Sequence, residues 1–490
     1  MIFPLARILS LWLVVSFSAS SWAVDTSHDV VIVGAGSAGL YAAKTLIAEG
    51  YDVLIIEATD RIGGRVYSTT LGDVRIELGA EEHYLGTGNN PVWPAVRELY
   101  GNAIYTQAYQ GAEVYSMDEG TNTCWWAEEV VERNCDDDAD IVTTEDFNNW
   151  YWRVNNHPDA NVTLDQAVFE QFDVDANHRA YHLYDQGLAG ANYATSLHQI
   201  GARSLALQDS QWDLSEDIRV LSDKNLGYLD VLNRLWWNDV VDQADLILES
   251  PVVSIDTSGD GVVVTDDQGD QHVANQVIVT VSIGVLQAEL IDFIPDLPEQ
   301  TVNAYQGIGI DMGMKVALEF SEPWWQREQE AMGWLVTEGL AGACWVPSDY
   351  KEDSASHILM CYPMGENATQ LNELAQRSND ETMAIVQAVL EDLDSVFSET
   401  VTLASESYLN AQVQNWGTAP YTLGAYSYPK IGTYSARRES LRLDLQVPVA
   451  ENRIFFAGEA SHNTHPATVI GALHEGERAA LEIHRINLAE

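Results

Sequence analysis

The chain is 490 residues long and carries 24 Lys plus Arg against 74 Asp plus Glu, a net charge of −50. That length suffices for more than one core, and that charge argues against nucleic acid or an anionic membrane surface as a partner. A small cationic molecule would be attracted, although a strongly acidic surface also serves simply to keep an exported or salt-exposed protein soluble.

At the N-terminus, Arg7 precedes the apolar run Ile8 to Phe17, and small residues lead to Ser21-Trp22-Ala23. This is the pattern of an export signal, so residues 1–23 are expected to be removed and the protein to be secreted or periplasmic. The apolar run is short for a bilayer span, and no stable membrane insertion is expected. Asp29 to Val33 then predicts a buried strand, Ser37 to Glu49 a helix ended by Gly50, and Asp52 to Ile56 a second strand.

Between that first strand and helix stands Gly34-x-Gly36-x-x-Gly39. Gly34 permits the tight turn, Gly36 lets a pyrophosphate approach the backbone, and Gly39 allows close helix–strand packing. The helix start offers free N–H groups. Glu57 closes the second strand, where a carboxylate can accept the hydroxyls of an adenosine ribose. Strand, glycines, helix and acid together predict a dinucleotide site.

Residues 110–220 are rich in Trp, Asp and Asn, with helices expected at Leu164 to Phe172 and His178 to Leu188. Leu246 to Val281 reads as three β-rich runs, turning at Ser258-Gly-Asp-Gly261 and Asp266-Asp-Gln-Gly269. In "IDMGMKVALEF", Met314, Val316, Leu318 and Phe320 alternate, so periodicity alone puts Lys315 and Glu319 on an opposite, solvated face. Residues 380–397 predict an amphipathic helix. A last strand, Arg453 to Phe456, leads through Ala457-Gly458-Glu459 to a terminal helix at Gly471 to Ile486. Cys124, Cys135, Cys344 and Cys361 could form two disulfides, most simply Cys124–Cys135 and Cys344–Cys361, although three pairings are permitted. His462-x-x-His465 lacks further ligands at suitable spacing, so no metal is expected there and both read as rim residues of the cofactor site.

The segment "EATDRIGGRVYS", Glu57 to Ser68, resembles the E-A-x-x-R-x-G-G-R signature of the flavin amine oxidase family. The likeness extends through "VRIELGAEEHYLG", "SPVVSID", "VIVTVSIGVLQ" and "FFAGEASHNTHPATVIGALHEGERAA", nearly to the end of the chain. The closing motif is most like that of the spermine oxidase and lysine-specific demethylase branch. An export segment and the absence of a long helical insertion argue against demethylation itself. The resemblance implies an α/β fold: a Rossmann-like FAD-binding domain from discontinuous segments 28–99, 220–300 and 416–490, with a second, α+β substrate-binding domain from 100–219 and 301–415.

The resemblance also implies roles for particular residues. Arg61, Gly63, Gly64 and Arg65 would line the FAD pyrophosphate and flavin, Val252 would contact adenine through its backbone, Gly458 would be among the cofactor-binding residues, and Glu459 would meet the ribityl chain. Val469 would present its N–H to the pyrimidine ring. Lys315 would hold a water against flavin N5, which opposes the solvated-face expectation. Tyr426 would be one wall of an aromatic cage, with Thr468 where a second tyrosine would stand. Ala425 replaces the flavin-linked cysteine of monoamine oxidases, so FAD would be bound noncovalently. Glu81, Glu82 and Tyr84, with His83 between them, would lie close to the substrate and offer carboxylates to the distal ammonium groups of a polyamine. Gly190 falls where plant polyamine oxidases place a substrate-binding glutamate.

The expected activity is oxidation of an amine such as spermine or spermidine to an imine, which hydrolyses to an aldehyde, with molecular oxygen reduced to hydrogen peroxide. An L-amino-acid oxidase, a monoamine oxidase and a flavin-binding protein without turnover are the alternatives.

Overall fold

The computed structural model describes residues 27–84, 90–101, 104–107, 112–117, 122–126, 161–172, 176, 181–214, 218–325, 332–397, 403–435 and 440–489. The expected signal segment, Cys135 and the start of the helix expected at His178 lie outside the described residues.

Alternation on two buried faces builds the first sheet. Val30, Ile32, Val53 and Ile55 enter one core, while Val31, Val33, Leu54 and Ile56 enter another. Such continuous apolar runs are what a parallel strand covered on both faces requires. The strands Asp245–Ile247, Val53–Ile56, Ser27–Val33 and Gln271–Val279 lie side by side and parallel. Gln271–Val279 pairs antiparallel with Val262–Asp266 near its start and parallel with Ile454–Phe456 near its end. Val252–Asp256 and Asp292–Ile294 complete the eight strands. The helix Ser37–Ala48 and the terminal helix Val469–Asn487 cover one face, and they cross so closely that a Cβ on Gly476 would stand 2.1 Å from the Ala38 carbonyl oxygen.

A second sheet of seven strands has the order Tyr408–Asn415, Met314–Phe320, His357–Tyr362, Ala343–Trp345, Met332–Val336, Ala112–Met117 and Asn122–Trp126. Its strands come from 100–219 and 301–415, whereas those of the first sheet come from the remaining segments. Across it, Met314, Val316, Leu318 and Phe320 pack against the helices Glu366–Gln376 and Glu381–Phe397. Cys344 and Cys361 are register partners on neighbouring strands and form a disulfide.

Three expectations change. Lys315 is only 5% exposed and its strand neighbour Ala317 is fully buried, so the face opposite Met314 is not solvated. The reason is tertiary: the hairpin Ser68–Leu71 and Val74–Glu77 lays Leu71, Val74 and Ile76 over that face, in one core with Ala317, Trp345 and Met360. Periodicity within one strand cannot register a covering hairpin 240 residues away in the chain. The helix expected at His178 to Leu188 is a π-helical stretch, Leu183–Gly190, running into Ala191–Tyr193. The three β-rich runs expected over Leu246 to Val281 are four strands, because the first is interrupted between Asp245–Ile247 and Val252–Asp256, which take different places in the sheet. The other expected strands and helices are present with ends shifted by a residue or two. No helix among the described residues is long and apolar enough to cross a membrane.

Candidate functional site

One cavity of about 1310 Å³ runs between the two sheets. At one end its wall is the glycine turn. Gly34 adopts φ +106°, and a Cβ there would meet Thr280 Oγ1 at 2.7 Å; one on Gly39 would strike the Gly34 carbonyl oxygen at 2.0 Å. Gly36 differs, because a Cβ there would meet only Gly64 Cα, at 4.0 Å, and Gly458 has no protein atom within that distance. Both positions line the cavity, so their missing side chains are open space kept for something outside the chain. That space fits an extended dinucleotide.

The residues expected around such a group converge on this wall. Glu57 is held by the Ala35 N–H at Oε2 (2.7 Å) and by the Thr59 N–H and hydroxyl at Oε1. Val252 begins its strand at the same end, where the register with Asp266 is interrupted. Arg61 donates to the carbonyls of Ile62 and Gly64 and lies 4.3 Å from the Tyr67 ring centroid. Arg65 Nη1 donates to Ala425 O at 2.8 Å and to Glu459 Oε1 at 2.9 Å. Glu459 Oε2 accepts from the Ser427 hydroxyl and the Ala467 N–H. Burial opposes ionisation of Glu459, yet Arg65 and Arg442 prevail and hold its carboxyl below the ordinary range. Val469 is the first residue of the terminal helix, where N–H groups lack intrahelical partners. Its position fits an N–H offered into the cavity.

At the other end the wall turns aromatic. Lys315 Nζ donates to the Glu77 carbonyl and to Glu81 Oε2, each at 3.0 Å, and lies 5.0 Å from the Trp345 ring centroid. An ammonium has three N–H donors, so one is left for the cavity. Glu81 is thereby reassigned. Expected to face a substrate, it has Oε2 on Lys315 and Oε1 on the Trp345 Nε1–H at 3.3 Å.

Glu82, its neighbour, lines the cavity and accepts the Tyr84 hydroxyl at 3.1 Å. His83 is not in the wall. It is 3% exposed, packs on Tyr228 and Tyr105, and is kept neutral by burial, which lowers its pKa to about 3. Glu81, Glu82 and Tyr84 thus line the cavity, and His83 alone of the four turns away from it.

Tyr426 donates to Ala191 O and accepts the Tyr362 hydroxyl, both at 3.2 Å, which fixes its ring. Burial raises its pKa and that of Tyr362 well above the phenol range. Thr468 lines the wall, but its hydroxyl is the helix cap: it donates to His465 O and accepts the Gly471 N–H, both at 2.9 Å. Its part at the site is as a short wall residue. His462 and His465, expected at the rim, do not line the cavity. Gly190 is not in the cavity wall either.

A further carboxylate in the wall, which sequence reasoning missed, is that of Asp209. It ends the helix Ala202–Asp209, lines the cavity, and accepts the Tyr193 hydroxyl at 3.4 Å. Burial raises its pKa to about 7. Tyr193, Tyr362, Trp212, Trp334 and Trp345 were missed as well, although all line the chamber. The abundance of Trp and Asp in residues 110–220 was the only signal for Asp209 and Trp212, and Trp334, Trp345 and Tyr362 lie outside that region.

The family model for flavin containing amine oxidoreductase matches residues 37–484. Human lysine-specific histone demethylase 2 is 28% identical over 482 residues, covering 93% of this chain and 53% of the demethylase. Polyamine oxidase 2 of Arabidopsis thaliana is 27% identical over 480 residues, covering 95% of this chain and 89% of that protein. The chain thus spans about half the length of the demethylases it matches. Among solved structures, wild-type putrescine oxidase bound to putrescine superposes with a TM-score of 0.71 at 22% identity, over 94% of this chain and 99% of that one. Cyclohexylamine oxidase from Brevibacterium oxydans gives 0.71 at 19%, over 95% and 100%. At these identities the structures show a shared fold.

Proposed function

We propose that this chain, which belongs to the flavin-containing amine oxidoreductase family, oxidises a small di- or polyamine with noncovalently held FAD. The observation that carries the reading is the continuity of one cavity from the dinucleotide cradle, Gly36 and Glu57, to an aromatic chamber that holds Glu82 and Asp209. Gly36, Glu57, Arg61, Gly64, Arg65, Val252, Gly458, Glu459 and Val469 would hold the FAD. When bound, the flavin supplies acceptance of a hydride from the carbon next to a neutral amine, and molecular oxygen takes the electrons as hydrogen peroxide.

The protein's part is positioning and electrostatics. Tyr426 and Tyr362, each locked by hydrogen bonds, wall the reacting end and strip water from the amine, which favours its neutral form. Lys315 keeps a cationic N–H at the cavity, where it can hold a water and stabilise developing negative charge. Glu82 offers a carboxylate to a distal ammonium, and Asp209 does so once ionised. Ala425 provides no group that could bond covalently to a flavin, and Cys344 and Cys361 are bonded to each other.

The amino-acid oxidase reading needs a cation for a substrate carboxylate. Two cations of this wall are paired with carboxylates, Arg65 with Glu459 and Lys315 with Glu81, and Arg61 lies at the dinucleotide end with donors on the Ile62 and Gly64 carbonyls. Export is part of the proposal; it rests on the segment ending Ser21-Trp22-Ala23 and is compatible with the Cys344–Cys361 disulfide. The −50 charge supports an amine substrate over a chromatin partner.

A peroxide-coupled screen of spermine, spermidine, putrescine, tyramine and several amino acids tests the substrate class. Peroxide from leucine or phenylalanine but not from any polyamine would reverse the order of readings. Anaerobic mixing that bleaches the flavin with none of these amines would remove the enzyme reading. Sequencing the N-terminus of the exported protein tests removal of residues 1–23.

A further inference from the structure

Outside the cavity wall, three imidazoles from two elements converge. His462 ends the short turn after Glu459–Ser461, His465 follows three residues later, and His474 stands on the terminal helix Val469–Asn487. One ring nitrogen from each lies within 4.8 Å of the other two. The ring centroids are 5.1 Å apart for His462 and His465, 5.4 Å for His462 and His474, and 6.2 Å for His465 and His474. The sequence showed His462 and His465 as a pair without a third partner. His474 supplies it, because the chain reverses between His465 and the start of the helix.

The most buried member is His465, which is 4% exposed. Its Nε2 is hydrogen-bonded to Asp213 Oδ1, whereas its Nδ1 is buried and has no hydrogen-bond partner. A buried ring nitrogen without a partner is costly, and few persist in folded proteins without a role. A carboxylate on one nitrogen that leaves a lone pair on the other is the arrangement found at ligating histidines: it fixes the tautomer and strengthens the donor. His462 Nδ1 accepts the His465 backbone N–H at 2.8 Å, so its lone pair sits on that nitrogen, and ligation there exchanges one backbone hydrogen bond for a metal bond.

We propose that His462, His465 and His474 bind one divalent transition-metal ion of the zinc or copper type, with Asp213 orienting His465. Imidazoles select these ions over calcium and magnesium, which take oxygen ligands. A tetrahedral zinc site spaces its nitrogens by about 3.4 Å, so the rings close in by rotation on binding. The fourth position is left to water. Such an ion would pin the segment that follows Glu459 to the terminal helix, whose first residue is Val469. Trp212 joins the site to the chamber, since it lines the cavity and meets the His465 ring edge-on at 5.7 Å.

The test uses untagged, flavin-loaded protein stripped with a chelator and titrated with Cu2+ in millimolar Ca2+, which saturates weak carboxylate sites on so acidic a chain. The expected result is one bound Cu2+ per chain with nitrogen hyperfine structure in its electron paramagnetic resonance spectrum, and a rise in Tm with one equivalent of Zn2+. His474→Ala should weaken Cu2+ binding by at least about ten-fold, and Asp213→Asn by roughly ten-fold. His462→Asn, at a half-buried position, serves as the second variant should His474→Ala lose its flavin. Absence of stoichiometric binding above Ca2+ overturns the proposal. So does equal binding by wild type and the histidine variants, or a spectrum with oxygen ligation only.

Discussion

Lys315 and Glu81, 234 residues apart in the chain, form an ion pair of 3.0 Å with side chains only 6% and 9% exposed. Removing one partner of such a pair strands a buried charge and costs about 3–5 kcal/mol, whereas removing both costs far less. Lys315→Met should therefore lower Tm, and adding Glu81→Gln should recover most of the loss. Both variants should retain FAD but react more slowly with amine or oxygen, resolved by anaerobic and oxygen stopped-flow. Wild-type rates in Lys315→Met would remove Lys315 from the chemistry.

Glu82 and Glu81 are adjacent but differ in task, and substitution should separate them. Glu82→Gln keeps the shape and hydrogen-bonding capacity of the side chain and removes its charge, which is worth about 1.5–3 kcal/mol to an ammonium. KM for a diamine or polyamine should rise roughly ten-fold or more, while KM for a monoamine stays near wild type. Equal effects on both substrates would place the distal ammonium elsewhere.

Asp209 supplies a pH dependence. Its folded pKa is raised from 3.8 to about 7 by burial. Between those values the unfolded chain has lost a proton that the folded chain keeps, so this residue's contribution to stability falls as pH rises from about 4 to 7. Its carboxylate appears over the same rise, so KM for a diamine should fall as pH passes through about 7. Asp209→Asn should flatten both trends, read by denaturant unfolding and by initial rates across pH.

His83 acts in the opposite direction. Burial lowers its pKa from 6.5 to about 3, so the folded chain stays neutral while the unfolded chain takes up a proton. Stability should decline as pH falls from about 6.5 towards 3, and His83→Phe should reduce that decline in acid-unfolding curves.

Gly36 and Gly39 stand three residues apart and should fail differently. Gly36→Val meets no crowded protein atom and should give a folded protein that does not retain FAD, with Tm near that of wild-type apo-protein. Gly39→Val would drive its Cβ into the Gly34 carbonyl oxygen and should unfold or fail to accumulate. Flavin absorbance and circular dichroism together distinguish the two results.

The local sequence determined whatever depends on neighbours in the chain. The alternation of Val30 to Val33 with both faces buried, the glycines between strand and helix, the acid at Glu57, and the helices Leu164–Phe172 and Glu381–Phe397 were all legible, because turn geometry and amphipathic period are short-range properties. The tertiary structure decided which faces were covered and which polar groups met. It buried Lys315 beneath the hairpin Ser68–Glu77, turned Glu81 from substrate to lysine, and gave the Thr468 hydroxyl to a helix cap. It also carried Asp209 into the chamber and His474 to His462 and His465. A side chain's chemistry is set by its dielectric surroundings and its partners, and in this protein those partners arrive from distant segments.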